Sequence, residues 1–189
     1  MNQSAFKKFD TVENMPWKTN NGTYLLYDFV HLLKNIRNLW LTEKHGQLEY
    51  NHGGDVKVAK WQDLCHLYEE ESKSSKLLKM SSLTEVSVFP KPIERQRVST
   101  CLCVFSERTV AALELFGKKH ETDVTGTVLF ISLVLKWWTI LNVKRKGLDT
   151  RKNQSLQAVI CDPEDSRLDF LLRIRQDVLR DGWKARSSC

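Results

Sequence analysis

The stretch Tyr24-Leu25-Leu26-Tyr27-Asp28-Phe29-Val30-His31-Leu32-Leu33-Lys34-Asn35-Ile36-Arg37-Asn38 decides how the rest of the chain is read. Tyr24 to Tyr27 are aromatic or aliphatic, which predicts a short buried strand. After Asp28 the spacing becomes helical: Phe29, Leu32, Leu33, Ile36 and Trp40 fall on one face, and Lys34, Arg37, Asn38 and Lys44 collect on the other. Asp28 stands at the junction. A carboxylate there serves either as an N-cap for the first-turn N–H groups or as a metal ligand of the kind used in nucleic-acid chemistry. His31, three residues on, faces back over the helix start. It either steadies the Asp28 carboxylate by a hydrogen bond or packs as a half-buried ring, with direct metal ligation the lesser option.

Moving outward, residues 1–22 are polar and read as a loop ending in the turn Asn20-Asn21-Gly22. Asp10 lacks a strand pattern around it and is given no role. Leu41 to Lys60 reads as loop, with its sharpest turn at His52-Gly53-Gly54-Asp55. Trp61 to Lys73 returns to helical spacing through Trp61, Leu64, Cys65 and Tyr68. Glu69, Glu70 and Glu71 oppose the macrodipole there and predict early fraying. Ser- and Lys-rich residues 73–79 form an exposed connector. Thr84 can cap or turn, and Phe89-Pro90-Lys91-Pro92 enforces an extended run. Helices are expected from Ile93 to Val104 and from Ser106 or Glu107 to Phe116, with Ser106 as N-cap. Val128 to Leu141 is apolar on nearly all sides and predicts a buried core helix. Asp162-Pro163-Glu164-Asp165-Ser166 starts a final helix, with Leu168, Leu171, Leu172, Ile174, Val178 and Leu179 as its apolar side.

The chain has 189 residues, 41% hydrophobic and 28% charged, with a net charge of +6. These values fit a globular protein of one domain, or one and a fraction, and are compatible with a polyanionic partner. Five irregularly spaced cysteines predict reduced thiols, hence cytosol or nucleus over a secreted disulfide framework. Met1 to Asp10 lacks the apolar core of a signal peptide, and no run is long enough to span a membrane. Cys101-x-Cys103 points its thiols to different sides of a helix, without a second Cys/His pair at zinc spacing. No phosphate-binding Gly-rich loop and no nucleophile elbow is present.

Asp28, His31, Leu32, Leu33, Lys34, Asn35, Ile36, Arg37 and Asn38 resemble the block Asp-Pro-Pro-His-Leu-Leu-Lys-Asn-(Ile/Val)-Arg-Asn of P element-like transposases, which include the THAP-domain transposases of animals. Phe29 and Val30 replace the proline pair. A second block, Arg97-Val98 with Val104-Phe105-Ser106 and Val110-Ala111-Ala112-Leu113, is similar to that family's Met-Lys-Val-Lys-x-Ala-x-Gln-(Val/Leu)-Phe-Ser-x-x-Val-Ala-x-Ala-Leu. The similarity runs in patches from Thr23 to Asn142 and more weakly to Leu172.

This resemblance implies a mainly α fold: a helical insertion-type domain over residues 43–181, preceded over residues 1–42 by a strand-helix piece of an RNase H-like α/β domain, with 182–189 as a frayed tail. It implies that Asp28 is the second acidic ligand of a Mg²⁺-dependent transposase centre. The first acidic position would precede Met1 and the last would follow Cys189, so no strand cleavage or transfer is expected of this chain alone. Arg97, Val98, Ser106 and Asn142 match residues near a bound guanine nucleotide. Ser82 and Thr139 depart from the family's lysine and aspartate, which weakens the expected GTP contact. Lys34, Arg37, Lys144, Arg145 and Lys146 would face DNA, although a solvated loop also explains the last three. No membrane partner is implied, and a homo-oligomer is compatible. A transposase-derived, domesticated piece, a nucleotide- or DNA-binding module serving a separate catalytic chain, and an interaction protein that only inherited the helices are the three functional expectations.

Overall fold

The computed structural model describes residues 11–12, 15–19, 28–73, 79–142, 155–158, 160–162 and 164–174. The strand expected at Tyr24 to Tyr27, the basic residues Lys144, Arg145 and Lys146, and the tail 182–189 lie outside them. The polar leader is not all loop, for β1 (Thr11–Val12) pairs antiparallel with β2 (Met15–Thr19).

Helix α1 (Phe29–Thr42) starts where the spacing changes, and Asp28 caps it. Its buried stripe is Leu33, Ile36, Arg37 and Trp40. That corrects the placement of Arg37 on the polar face: Leu33, Ile36, Arg37 and Trp40 follow the i, i+3, i+4, i+7 rule, so the guanidinium must enter the core side of the helix. Lys34, by contrast, is half-buried beside that stripe.

The Leu41 to Lys60 segment is not a loop. Strands β3 (Gln47–His52) and β4 (Asp55–Lys60) form an antiparallel hairpin in continuous register from Gln47↔Lys60 to His52↔Asp55. Gly53 and Gly54 both take positive φ, 64° and 89°, the conformation a tight primed hairpin turn needs. Leu48 and Tyr50 point inward and Gln47 and Glu49 outward; on β4 Ala59 is the buried residue. With Ala59 alone buried on β4, the strand carries a weak core signal in the sequence.

Helix α2 (Trp61–Lys73) continues directly from β4. It runs unbroken to Lys73, with two of its three late acids engaged. Glu70 takes Lys119 and His120, each at 2.5 Å, and Glu71 accepts the N–H groups of Met80 and Ser81 at 2.9 and 2.8 Å. The short α3 (Glu85–Val88) is closed by a reciprocal capping box between Thr84 and Ser87. The expected helix from Ile93 is broken: a 3₁₀ turn (Glu94–Gln96) ends at the extended Arg97, and α4 (Val98–Val104) follows. Ser106 then caps α5 (Glu107–His120), accepting from Thr109 N–H at 3.2 Å.

A left-handed Glu121 turns the chain into α6 (Thr125–Leu141), the apolar helix, which runs back along α5. Helix α7 (Ser166–Ile174) closes the described part and contacts α6. The core is an aromatic hub. The fully buried Trp40 ring meets Trp61 and Phe130 edge-on at 5.0 Å each, with Phe105 at 6.5 Å, and its indole N–H donates to Ala59 O. The hairpin and the start of α2 dock on the start of α6 through three contacts. Tyr50 donates to Gly126 O at 2.7 Å, Lys60 N–H donates to Thr127 Oγ1, and Thr127 donates to Asp63. At Gly126 an added Cβ would lie 2.1 Å from Val58 O, so only glycine admits so close an approach. The described fold is mainly helical, as expected, with α1 sharing one core with the elements that follow it.

Candidate nucleotide-binding and acidic sites

Asp28 performs the capping role. Its Oδ1 accepts from Val30 N–H at 2.8 Å and His31 N–H at 3.4 Å, and His31 Nδ1 donates to Oδ2 at 2.5 Å. The histidine bond, with the two backbone N–H groups, holds the Asp28 carboxyl below its ordinary value against a smaller desolvation cost. Both side chains are about half exposed. His31 therefore steadies the carboxylate and does not pack in the core. Among the described residues no group of three or more His, Cys, Asp or Glu side chains converges to hold a metal ion. Asp28 and His31 alone do not fit a two-cation centre, which draws on several carboxylates.

Arg37 is fully buried and cannot face DNA. Its Nη2 donates to Arg95 O at 2.8 Å, and Asn38 Nδ2 reaches the same carbonyl at 3.4 Å. Burial lowers the guanidinium's pKa, opposed in part by Cys101. The pair of bonds ties α1 to the 3₁₀ turn that leads into Arg97. Arg97 and Val98 open α4, and Ser106 lies just beyond its end. At about 1.5 Å per residue, seven residues hold them roughly 10 Å apart. The Arg97 side chain is exposed, and Val98 is half-buried against the core. Ser106 Oγ is committed to its cap and to Thr109 Oγ1 at 3.0 Å. Ser82 is half-buried, and Asn142 is the half-buried C-cap of α6.

Thr139 is half-buried near the end of α6. It lines a cavity of about 530 Å³ between α5, α6 and the turn Ser155–Gln157. From α5 come Glu107, Val110, Ala111 and Glu114; from α6 come Ser132, Leu135, Lys136 and Thr139. Each set follows the i, i+3, i+4, i+7 spacing, so each is a single stripe of its helix. Leu156 and Gln157 close the third side. That turn is fastened by Arg167, whose Nη1 donates to Ala158 O at 2.6 Å while the guanidinium grips Asp165. The grip holds the Asp165 carboxyl at about 2.

Structure thus brings Thr139 together with Glu107, the neighbour of Ser106, and places the start of α1 nearby, since the Phe29 and Trp138 rings are 5.3 Å apart. It leaves Arg97 and Val98 at the far end of α4. Glu107, Glu114 and Gln157 went unnoticed in the sequence; the signal available was the pair of polar-apolar stripes, which on a surface helix looks like an ordinary amphipathic margin. Cys65 and Cys101 are buried and Cys103 is half-buried. Burial pushes Cys65 up to about 11 and raises Cys101 and Cys103 as well, so the thiols stay protonated. Among the described residues no helix is long and apolar enough to cross a membrane.

Comparison with known proteins bears on this arrangement. Among solved structures, the Drosophila P element transposase strand transfer complex is similar, with a TM-score of 0.67 at 18% identity. The alignment covers 92% of this chain and 37% of that one, so this chain spans little more than a third of that transposase. No curated protein matches. The family model described as TNP-like, GTP-binding insertion domain matches residues 30–154, about two thirds of the chain. With that match and the shared helical fold, the chain belongs to the TNP-like GTP-binding insertion domain family.

Proposed function

We propose that this chain is a transposase-derived insertion module that binds a guanine nucleotide and does not cut or join DNA strands by itself. The match of the insertion-domain model to residues 30–154 carries the reading. The non-catalytic part of the reading starts from Asp28, whose carboxylate is taken up as the cap of α1. Residues 1–42 are assigned to the edge of a host RNase H-like domain, with α1 as the element shared between that edge and the insertion. Any strand chemistry would need further carboxylates beside Asp28 to hold Mg²⁺.

Purified protein should rise in melting temperature with GTP or GDP more than with ATP, because a ligand bound only by the folded state stabilises it. A cooperative melt unmoved by millimolar GTP would defeat the nucleotide reading. A cleavage or strand-transfer signal with Mn²⁺ that disappears in Asp28→Asn would defeat the non-catalytic one. A DNA-binding reading remains, motivated by the net charge of +6. With Arg37 enclosed, α1 offers Lys34 alone of the two basic residues first considered. Salt-dependent retention on duplex DNA that falls in Lys34→Gln would favour it.

A further inference from the structure

Arg37 carries a charge into the core that nothing described so far balances. Among the described residues, four of the five buried side-chain polar atoms without a partner lie where α1 meets the 3₁₀ turn Glu94–Gln96: Arg37 Nε and Nη1, Arg95 Nε, and Asn38 Oδ1. Three of the four are donors. They meet there because Arg37 Nη2 and Asn38 Nδ2 both reach the Arg95 carbonyl, at 2.8 and 3.4 Å. Arg37 is 0% exposed, and Arg95 is half-buried. Of the side chains that act on Arg37, Cys101 offers a weak sulfur acceptor and Arg95 a like charge. Lys34 acts on the same thiol, which brings a third cation to the neighbourhood. Glu94, the carboxylate next to Arg95 in the chain, turns one oxygen to the Lys91 N–H at 2.8 Å.

A buried cation without an opposite charge costs a fold more than an unmatched neutral donor. A water molecule would take one or two of these N–H groups but brings no charge, and the two guanidiniums would still repel each other. An anion meets both needs. Nε–H and Nη1–H leave different edges of the planar Arg37 group, so one anion takes one of them together with the Arg95 Nε–H. The four atoms are closed to solvent, which keeps out a phosphate carried on a polymer or a nucleotide. A dianion such as sulfate is larger and costlier to strip of water. We propose that this place binds a small monovalent inorganic anion, of the size of chloride, between the guanidiniums of Arg37 and Arg95. The anion balances the charge that α1 brings to the core and fastens α1 to the turn before Arg97. The inference takes no support from the nucleotide reading and goes beyond it.

The test is the melting of the full chain at constant ionic strength while chloride replaces gluconate, an anion too large for a closed site. Tm should rise along a saturating curve, by about 3 °C or more at about 200 mM chloride, because the anion binds only the folded state. Bromide should act as chloride does, and the chloride NMR line should broaden when the folded protein is added. Arg95→Gln removes one guanidinium from a half-buried position and should abolish both effects. Arg37→Met should abolish them too, and Arg95→Gln decides the matter where Arg37→Met does not fold. Lys91→Gln, a charge lost from the exposed start of the turn, should keep both effects. A Tm indifferent to chloride overturns the inference and leaves water as the occupant. A chloride effect of the same size in wild type and Arg95→Gln overturns it as well, and so does stabilisation by sulfate or phosphate where chloride gives none.

Discussion

Gly126→Ala should destabilise the protein, against what helix propensity alone dictates. Gly126 is the second residue of α6, where alanine would ordinarily gain up to about 1 kcal/mol over glycine. Here the new Cβ would stand 2.1 Å from Val58 O and 3.0 Å from Val58 C, both backbone atoms of β4. Ordinary contact begins at 3.4 Å, so β4 must retreat by roughly 1.3 Å, and backbone cannot turn aside as a side chain does. Overpacking of this kind costs about 1–3 kcal/mol. The retreat also stretches the Tyr50–Gly126 O bond of 2.7 Å, which contributes about 0.5–1.5 kcal/mol. After the propensity gain, the net loss is about 1–3 kcal/mol, or a fall in Tm of roughly 2–12 °C for a chain of this length. Thermal and urea melts followed by tryptophan fluorescence measure it. Tyr50→Phe should cost less, about 0.5–1.5 kcal/mol, and less again in the Gly126→Ala background, since the same contact is then already disturbed. A Gly126→Ala protein that melts higher than wild type would mean that the hairpin is not docked on α6.

Three further outcomes are expected. Ser106→Ala removes the α5 cap and should cost about 1 kcal/mol in urea melts, with Ser106→Asp restoring most of it; equal costs for both would point away from capping. Glu70→Gln frees Lys119 and His120. The Glu70 pKa is lowered mainly by the Lys119 bond, so its contribution is present above the unfolded value near 4.5 and fades as pH falls through the depressed one. The wild-type advantage over Glu70→Gln should therefore be below about 1 kcal/mol at pH 7 and vanish in acid and in high salt. Asp63 behaves in the opposite sense: burial raises its pKa, so its titration favours the fold below the unfolded value near 3.8 and opposes it as pH rises through the raised value. Asp63→Asn should gain on wild type as pH rises above the unfolded value near 3.8, in paired melts at each pH, whereas Thr127→Val, which strands both Lys60 N–H and Asp63, should lose about 2–4 kcal/mol.

Much of the helical frame was legible because it is written in local terms. Asp28, Thr84 and Ser106 announce helix starts by side-chain chemistry alone, and the apolar run from Val128 to Leu141 can only be a core helix or a strand too long for its place. Long-range facts were not legible. The β3–β4 hairpin depends on Tyr50 finding Gly126, 76 positions away, and on β4, in which every second residue or so is charged. Arg37 was misread because a basic residue suggests surface, although its spacing from Leu33 and Trp40 already placed it inward. Just before the break at Arg97, the Arg95 carbonyl is held by Arg37 from 58 positions away, a contact that local propensity does not encode. For the cavity, each wall is plain in sequence, but the pairing of the two walls exists only once α5 and α6 lie together.

The aromatic hub has a consequence for how the chain acquires its shape. Trp40, Trp61, Phe105 and Phe130 come from four separate elements, and the last arrives 90 positions after the first. Loops of that span close slowly, because chain entropy is surrendered before the contact repays it. Until residue 130 is available, Trp40 and Trp61 have no ring to complete their enclosure and remain open to solvent or to other chains. A nascent or truncated chain ending short of α6 is therefore a sticky intermediate, not a smaller version of the fold, and cooperativity is conferred by the one helix that the turn at Glu121 brings back.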